Sequence, residues 1–218
     1  MKKLDLIVGA RPNFIKISPI IDALRNSRLL SYRLVHTGQH YDTEMSKTFF
    51  DQLGIPEPDV NLNCGSGTQA EQCASIMVNY EKLLLNEMCD LCLVVGDVNS
   101  TMACTIAARK LGVPVAHVEG GIRSMDWTMP EEINRVVTDS ISNYFFTTSD
   151  TANRNLLDSG IEKDNIFFVG NTMIDSLLKN KPRFIKPIIW KKEDLENKGY
   201  VVMTLHRPSN VDNAEKLK

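Results

Sequence analysis

Residues 91–101 read Leu91-Cys92-Leu93-Val94-Val95-Gly96-Asp97-Val98-Asn99-Ser100-Thr101, and residues 112–121 read Gly112-Val113-Pro114-Val115-Ala116-His117-Val118-Glu119-Gly120-Gly121. Between them lies an alanine-rich stretch of helical composition. Each block opens with a short apolar run and ends in glycine and a carboxylate, which is the pattern of strand, crossover helix, strand. A crossover of this length makes the strands parallel neighbours in one sheet. Asp97 and Glu119 then leave the sheet from the same carboxyl edge, where open α/β sheets bind ligands. Taken singly, Asp97 reads as a helix cap and Glu119 as a solvated loop residue. Their joint placement favours a catalytic or ligand-binding role.

The same grammar extends in both directions. Strand-like runs at Leu4 to Val8, Arg33 to Thr37, Tyr144 to Thr147 and Ile166 to Val169 alternate with helical patterns such as Phe14, Ile17, Ile21, Leu24 and Ile76, Tyr80, Leu83, Leu84. The fold class expected is α/β, a Rossmann-like doubly wound parallel sheet with helices on both faces. Ser18-Pro19 is expected to kink or restart the first helix, because proline has no amide donor. Gly54 and Gly112, each soon followed by proline, read as helix stops, and Asn99 or Ser100 as the cap of the helix after Asp97.

After Asn180 the pattern gives way to Lys181-Pro182-Arg183-Phe184-Ile185-Lys186-Pro187, basic and punctuated by proline. The division expected is a first domain over residues 1–180, a linker over 181–199, and the start of a second domain over 200–218. Tyr200 to Leu205 reads as the first strand of that second domain, delivering His206-Arg207-Pro208-Ser209-Asn210.

Of the 218 residues 43% are hydrophobic, and 25 basic against 27 acidic residues leave a net charge of -2, so no general electrostatic attraction to nucleic acid or an anionic membrane is expected. The first residues carry no signal-peptide pattern and no segment has the length of a membrane span, which points to the cytoplasm. The five cysteines are odd in number and too sparse for a secreted disulfide framework. Cys89 and Cys92 have half of a zinc or redox spacing, but no second pair accompanies them and neither role is expected.

Two further stretches carry chemistry. Gly9-Ala10-Arg11-Pro12-Asn13-Phe14-Ile15-Lys16 joins the first strand to the first helix and brings two cations to a helix start. From spacing alone, an anion site and a pair of solvated surface cations fit equally well. It matches neither the dinucleotide glycine pattern nor a Walker loop. Met129-Pro130-Glu131-Glu132-Ile133-Asn134-Arg135 opens a helix with proline in the first turn, and helix-dipole stabilisation explains one of its glutamates.

Together with Thr37-Gly38-Gln39-His40-Tyr41-Asp42, Val169-Gly170-Asn171-Thr172-Met173-Ile174-Asp175 and Thr204-Leu205-His206-Arg207-Pro208-Ser209-Asn210, these motifs stand in an order and spacing that resemble the non-hydrolysing UDP-N-acetylglucosamine 2-epimerases. The resemblance runs over essentially the whole chain. It implies that the sheet is the N-terminal half of a GT-B-type two-domain fold with its active site in the cleft. The reaction implied is reversible epimerisation of UDP-GlcNAc to UDP-ManNAc for cell-surface polysaccharide synthesis, by elimination and re-addition of UDP through 2-acetamidoglucal.

The resemblance also implies Asp97, Glu119, Glu131 and His206 as catalytic residues. Arg11 and Lys16, with Asp97, Glu119 and His206, are the substrate-binding set, and Arg207 assists. No metal and no other cofactor is implied, and the partners are the UDP-sugars, UDP and a second subunit in a homodimer. Which carboxylate takes the proton from carbon 2 is left open. Tyr41-Asp42 departs from the basic, polar pair that many members carry, which argues against activation by a second substrate molecule. The segment by itself is expected to be inactive for want of the uridine pocket. A hydrolysing epimerase, a GT-B glycosyltransferase and a non-catalytic nucleotide-sugar binding module are the alternative readings.

Overall fold

Side-chain periodicity decides the layering. In a computed structural model of the chain, which describes residues 1–27, 29–38, 50, 53–195, 199–205 and 211, the apolar runs become strands of one parallel sheet. The strands are β1 (Lys2–Val8), β2 (Leu30–His36), β3 (Val60–Asn61), β4 (Leu91–Val95), β5 (Val115–Val118), β6 (Tyr144–Thr147) and β7 (Ile166–Phe168). Their order across the sheet is β3-β2-β1-β4-β5-β6-β7. The chain reverses its direction of travel across the sheet between β1 and β4, the place where such sheets open a ligand crevice. The two-residue β3 has no apolar alternation to announce it.

The helices of this unit are α1 (Arg11–Ser27), α2 (Gln69–Asn86), α3 (Asn99–Lys110), α4 (Pro130–Ile141), α5 (Asp150–Asp158) and α6 (Thr172–Asn180). Ile7, Val35, Val94 and Val115 point to one face and pack with Ile76, Tyr80 and Leu84 of α2 and with Ala103 and Ala107 of α3. Leu6, Val8, Leu34, Leu93, Val95 and Val118 point to the other and pack with Phe14, Ile17 and Ile21 of α1. Both faces of the central strands are thus dry, which is why those strands read as unbroken apolar runs.

One ion pair is placed inside this core. Asp5 and Arg33 are direct partners across β1 and β2, and both are buried. The guanidinium makes two bonds to the Asp5 carboxylate, at 2.9 and 2.7 Å, and the Tyr80 hydroxyl donates to the same carboxylate at 3.0 Å. Burial drives the Tyr80 phenol and the Cys92 and Cys104 thiols well above their usual pKa ranges, and Cys89 to about 12, so these cysteines are inert thiols.

The first helix does not break at Pro19, contrary to the expectation; α1 runs through it. Proline leaves the carbonyl of Ile15 without its helical donor. The buried hydroxyl of Ser176, on α6, donates to that carbonyl at 2.5 Å. A hydrogen bond from the far end of the unit therefore replaces the missing one. The glycine stops fare as expected: Gly54 and Gly112 lie at φ 67° and 80°, and the Val113 N–H closes back on the Ala108 carbonyl.

The packing of Cα atoms divides the chain into Met1–Asn180 and Lys181–Lys218. In the second unit a one-turn helix, α7 (Ile189–Lys192), places Trp190 edge-on to Tyr200 with ring centroids 5.8 Å apart. The strand expected at Tyr200 to Leu205 is not formed, since no other strand is present among the described residues of that unit to complete its ladder. His206 and Arg207 lie outside the described residues, as do residues 39–42 of the Thr37–Asp42 motif.

Two outcomes follow. Ser176→Ala should cost about 1 kcal/mol of stability in urea unfolding, the worth of a buried hydrogen bond, and markedly less in a Pro19→Ala background, where the restored amide serves the Ile15 carbonyl. Arg33→Met should cost about 3–5 kcal/mol by the same measurement, because it strands the Asp5 carboxylate in the core.

Candidate active site

The carboxyl edge at the β1–β4 switch gathers Lys16, Asp97 and Glu119, three of the charged side chains that the sequence singled out. Chain leaves β4 through Gly96, whose φ of +70° is easy only for glycine. A Cβ there would lie 3.0 Å from the Lys16 ammonium and 3.8 Å from the Glu119 carboxylate. At β1 the requirement is close approach: a Cβ on Gly9 would meet Ser100 Oγ at 2.0 Å. That contact lets the start of α3 sit against the end of β1.

Lys16, one turn into α1, reaches across to Glu119 at 2.5 Å, and both side chains are nearly buried. Glu119 occupies the left-handed region at φ +69°, a conformation that costs an ordinary residue on the order of 1–3 kcal/mol. Its N–H is fixed by the Phe146 carbonyl at 2.9 Å. Asn13 braces the opposite loop, accepting from the Ala10 N–H at 3.1 Å and donating to the Val95 carbonyl at 2.8 Å. Of Arg11 only the backbone, at the start of α1, is described.

Asp97 does not cap α3. Its carboxylate is bonded by Arg135 of α4, and the residue preceding α3 is Val98, which supplies no side-chain cap. Asn99 instead donates to Gln69 and Gln72, at 2.6 and 2.7 Å, and accepts from Asn134 at 3.2 Å. Asn134 also donates to the Asp97 carbonyl at 2.8 Å.

Helical phase separates the two glutamates of α4. Glu131 is exposed on the first turn, whereas Glu132 is buried. Glu132 takes the N–H groups of Ser124 and Met125 at 2.9 and 3.1 Å and pairs with Arg135 at 2.9 Å. Burial alone would raise its pKa, but the bonds from Ser124, Arg135 and Met125 outweigh it and hold the carboxyl below its ordinary value. Burial likewise opposes the charge of Arg135, and Asp97 and Glu132 overcome it.

Beneath these groups lies a second layer that sequence reasoning missed. His117 of β5 is fully buried, with Nδ1 at 2.6 Å from the Asp139 carboxylate and Nε2 at 2.8 Å from the Gly96 carbonyl. Asp139 also accepts from the Gly121 N–H at 3.0 Å and from Arg123 at 2.6 Å. A signal was present: Glu132, Arg135 and Asp139 recur at three and four residues on one face of α4, and His117 is the polar residue inside an apolar strand. Among the described residues no three His, Cys, Asp or Glu side chains gather as metal ligands.

Comparison with known proteins places the chain in a family. The family model for UDP-N-acetylglucosamine 2-epimerase matches residues 22–218. A UDP-N-acetylglucosamine 2-epimerase of Methanocaldococcus jannaschii is 46% identical, the match covering 99% of this chain and 60% of that protein. A UDP-2,3-diacetamido-2,3-dideoxy-D-glucuronate 2-epimerase of Pseudomonas aeruginosa is 42% identical with the same shares covered. The crystal structure of a Methanocaldococcus jannaschii UDP-GlcNAc 2-epimerase in complex with UDP-GlcNAc and UDP superposes with a TM-score of 0.88 at 46% identity, over 99% of this chain and 59% of that one. MurG of Acinetobacter baumannii shares the fold alone, at a TM-score of 0.54 and 8% identity. The chain thus spans about three-fifths of the length of these epimerases. On the family model and these identities, the chain belongs to the UDP-N-acetylglucosamine 2-epimerase family.

Proposed function

We propose that a protein carrying this segment interconverts UDP-GlcNAc and UDP-ManNAc, with Asp97 and Glu119 handling protons at the sugar and Lys16 and Arg11 meeting the diphosphate. The observation that supports it is the convergence of two carboxylates, each paired with a cation, at one strand edge in a chain of this family. An ionised carboxylate near carbon 2 accepts its proton as the bond between carbon 1 and the diphosphate oxygen breaks. The electron pair of that bond leaves on UDP, and 2-acetamidoglucal remains. In the return step a proton reaches carbon 2 on the other face while the UDP oxygen rejoins carbon 1. Negative charge grows on the departing diphosphate, and cations fixed beforehand stabilise it most. Lys16 is so fixed, at the start of α1 and 2.5 Å from Glu119.

Glu131 and His206 stay in this reading as catalytic residues at the sugar and the phosphate, the first being exposed on the first turn of α4. Homodimerisation and a cytoplasmic location belong to it as well. Val78 and Leu85 are exposed seven residues apart on α2, with the charged Glu81 and Lys82 between them, and offer a second subunit two apolar contacts. No helix among the described residues is long and apolar enough to cross a membrane.

The Pseudomonas aeruginosa relative supports a second reading, in which the sugar is a 2,3-diacetamido uronate. Both substrates need the same proton transfer at carbon 2, so a substrate comparison by NMR separates them. The account expects UDP-ManNAc from UDP-GlcNAc, with the uronate turned over more slowly. Preference for the uronate would move the assignment to the second reading, and release of free ManNAc would make the enzyme a hydrolysing one.

Asp97→Asn and Glu119→Gln should each lower kcat by roughly two or more orders of magnitude, the scale of a lost acid or base, with native circular dichroism. Near-normal turnover in both would place the chemistry elsewhere. Lys16→Met should weaken UDP binding in calorimetry, and unchanged affinity would remove Lys16 from the phosphate site.

A further inference from the structure

We propose that His117 and Asp139 act as a charged positioning pair, an imidazolium bound to a carboxylate, that fixes the two turns carrying Asp97 and Glu119 relative to each other. The inference builds on the reading of those two carboxylates as proton-transfer groups. It stands on the hydrogen-bond inventory around one ring.

His117 Nε2 faces the Gly96 carbonyl at 2.8 Å, and a carbonyl only accepts. Nδ1 faces Asp139 at 2.6 Å, and that carboxylate already accepts from the Gly121 N–H and from Arg123. Two donors, one of them the Arg123 guanidinium, hold Asp139 as an ionised acceptor. With acceptors on both sides, both ring nitrogens carry protons. One carboxylate serves both cations: Asp139 stands between His117 and Arg123. The next ionised groups on this edge are Lys16 and Glu119, beside Gly96.

The geometry makes this pair a brace for the site. Gly96 immediately precedes Asp97, and its carbonyl is the atom that His117 holds. Gly121 follows Glu119 by two residues, and its N–H is the atom that Asp139 holds. Between these anchors both Gly96 and Glu119 sit in the left-handed region, at φ +70° and +69°. A non-glycine residue stays there only when its surroundings fix it. Space around the brace is closed as well: a Cβ on Gly120 would lie 3.3 Å from the Asp139 carboxylate and 3.5 Å from His117 Nδ1. A buried charged pair is weak evidence for stability, since well-packed apolar residues often serve as well. Orientation of reacting groups is a different requirement, and small displacements there cost large factors in rate.

Asp139→Asn isolates the effect. The asparagine amide donates to His117 Nδ1 and its oxygen accepts from Gly121, so shape is kept while the ring becomes neutral. In the 218-residue chain, 15N NMR of the histidine rings should show both His117 nitrogens protonated at neutral pH, and one of them unprotonated in Asp139→Asn. In an active enzyme that carries this segment, Asp139→Asn should lower kcat on the order of tenfold to a hundredfold while KM and UDP affinity hold, because orientation is lost and binding is not. His117→Gln, with one donor left for Gly96, should move kcat the same way and serves if Asp139→Asn does not fold. A wild-type His117 ring with an unprotonated nitrogen overturns the proposal. So does an unchanged kcat in an active enzyme bearing either variant. Inactivity of the wild-type enzyme itself would count against the epimerase reading, while the ring measurement still judges the charge.

Discussion

The hydrogen bond from His117 to the carbonyl of Gly96 is where strand, turn and site are joined. A carbonyl at the end of a parallel strand, with its neighbours turned away, needs a donor if water is excluded. Here the donor comes from the next strand, and its other nitrogen is tied through Asp139 to the turn after Glu119. Because these groups are buried, the bonds hold without competition from solvent, and the turns above them inherit that rigidity. The accessible chemistry is then built on a fixed base. Lys16 lies against Glu119, Arg135 against Asp97, and Glu132 holds Arg135 in place from behind.

That base exists because the sheet is wet at its edge and dry within. Apolar residues on both faces of β1, β4 and β5 pack against α1 on one side and α2 and α3 on the other, so the polar residues of this region collect where strands end. The order of strands sends β2 to one side of β1 and β4 to the other, opening the crevice between their two exits. Gly9 admits α3 against the end of β1, and Gly96 admits Lys16 and Glu119 beside β4. Replacing either glycine would close the space in which those side chains meet.

Much of this was legible in the sequence, and the parts that were not have a common cause. Local apolar runs announce the strands, and strand-end position singles out Asp97 and Glu119, because both signals are carried by adjacent residues. Non-local partners reverse other readings. Pro19 sits in an unbroken helix because Ser176 supplies the missing donor. Asn99 is drawn from capping into a buried amide network with Gln72 and Asn134. The run from Tyr200 to Leu205 has strand composition without a ladder partner among the described residues. Glu131 and Glu132 look alike in sequence, and only the phase of α4 against its surroundings decides that the second is buried.

The central claim is that this edge moves the proton of carbon 2 between sugar and solvent through carboxylates while UDP leaves and returns. Running the interconversion in deuterated water and reading carbon 2 of the product by NMR tests it most directly. The account predicts that UDP-ManNAc formed from protiated UDP-GlcNAc carries solvent deuterium at carbon 2, with UDP rejoined to carbon 1. Product that keeps the original proton at carbon 2 would contradict it, since the hydrogen would then have travelled without passing through an exchangeable carboxyl group.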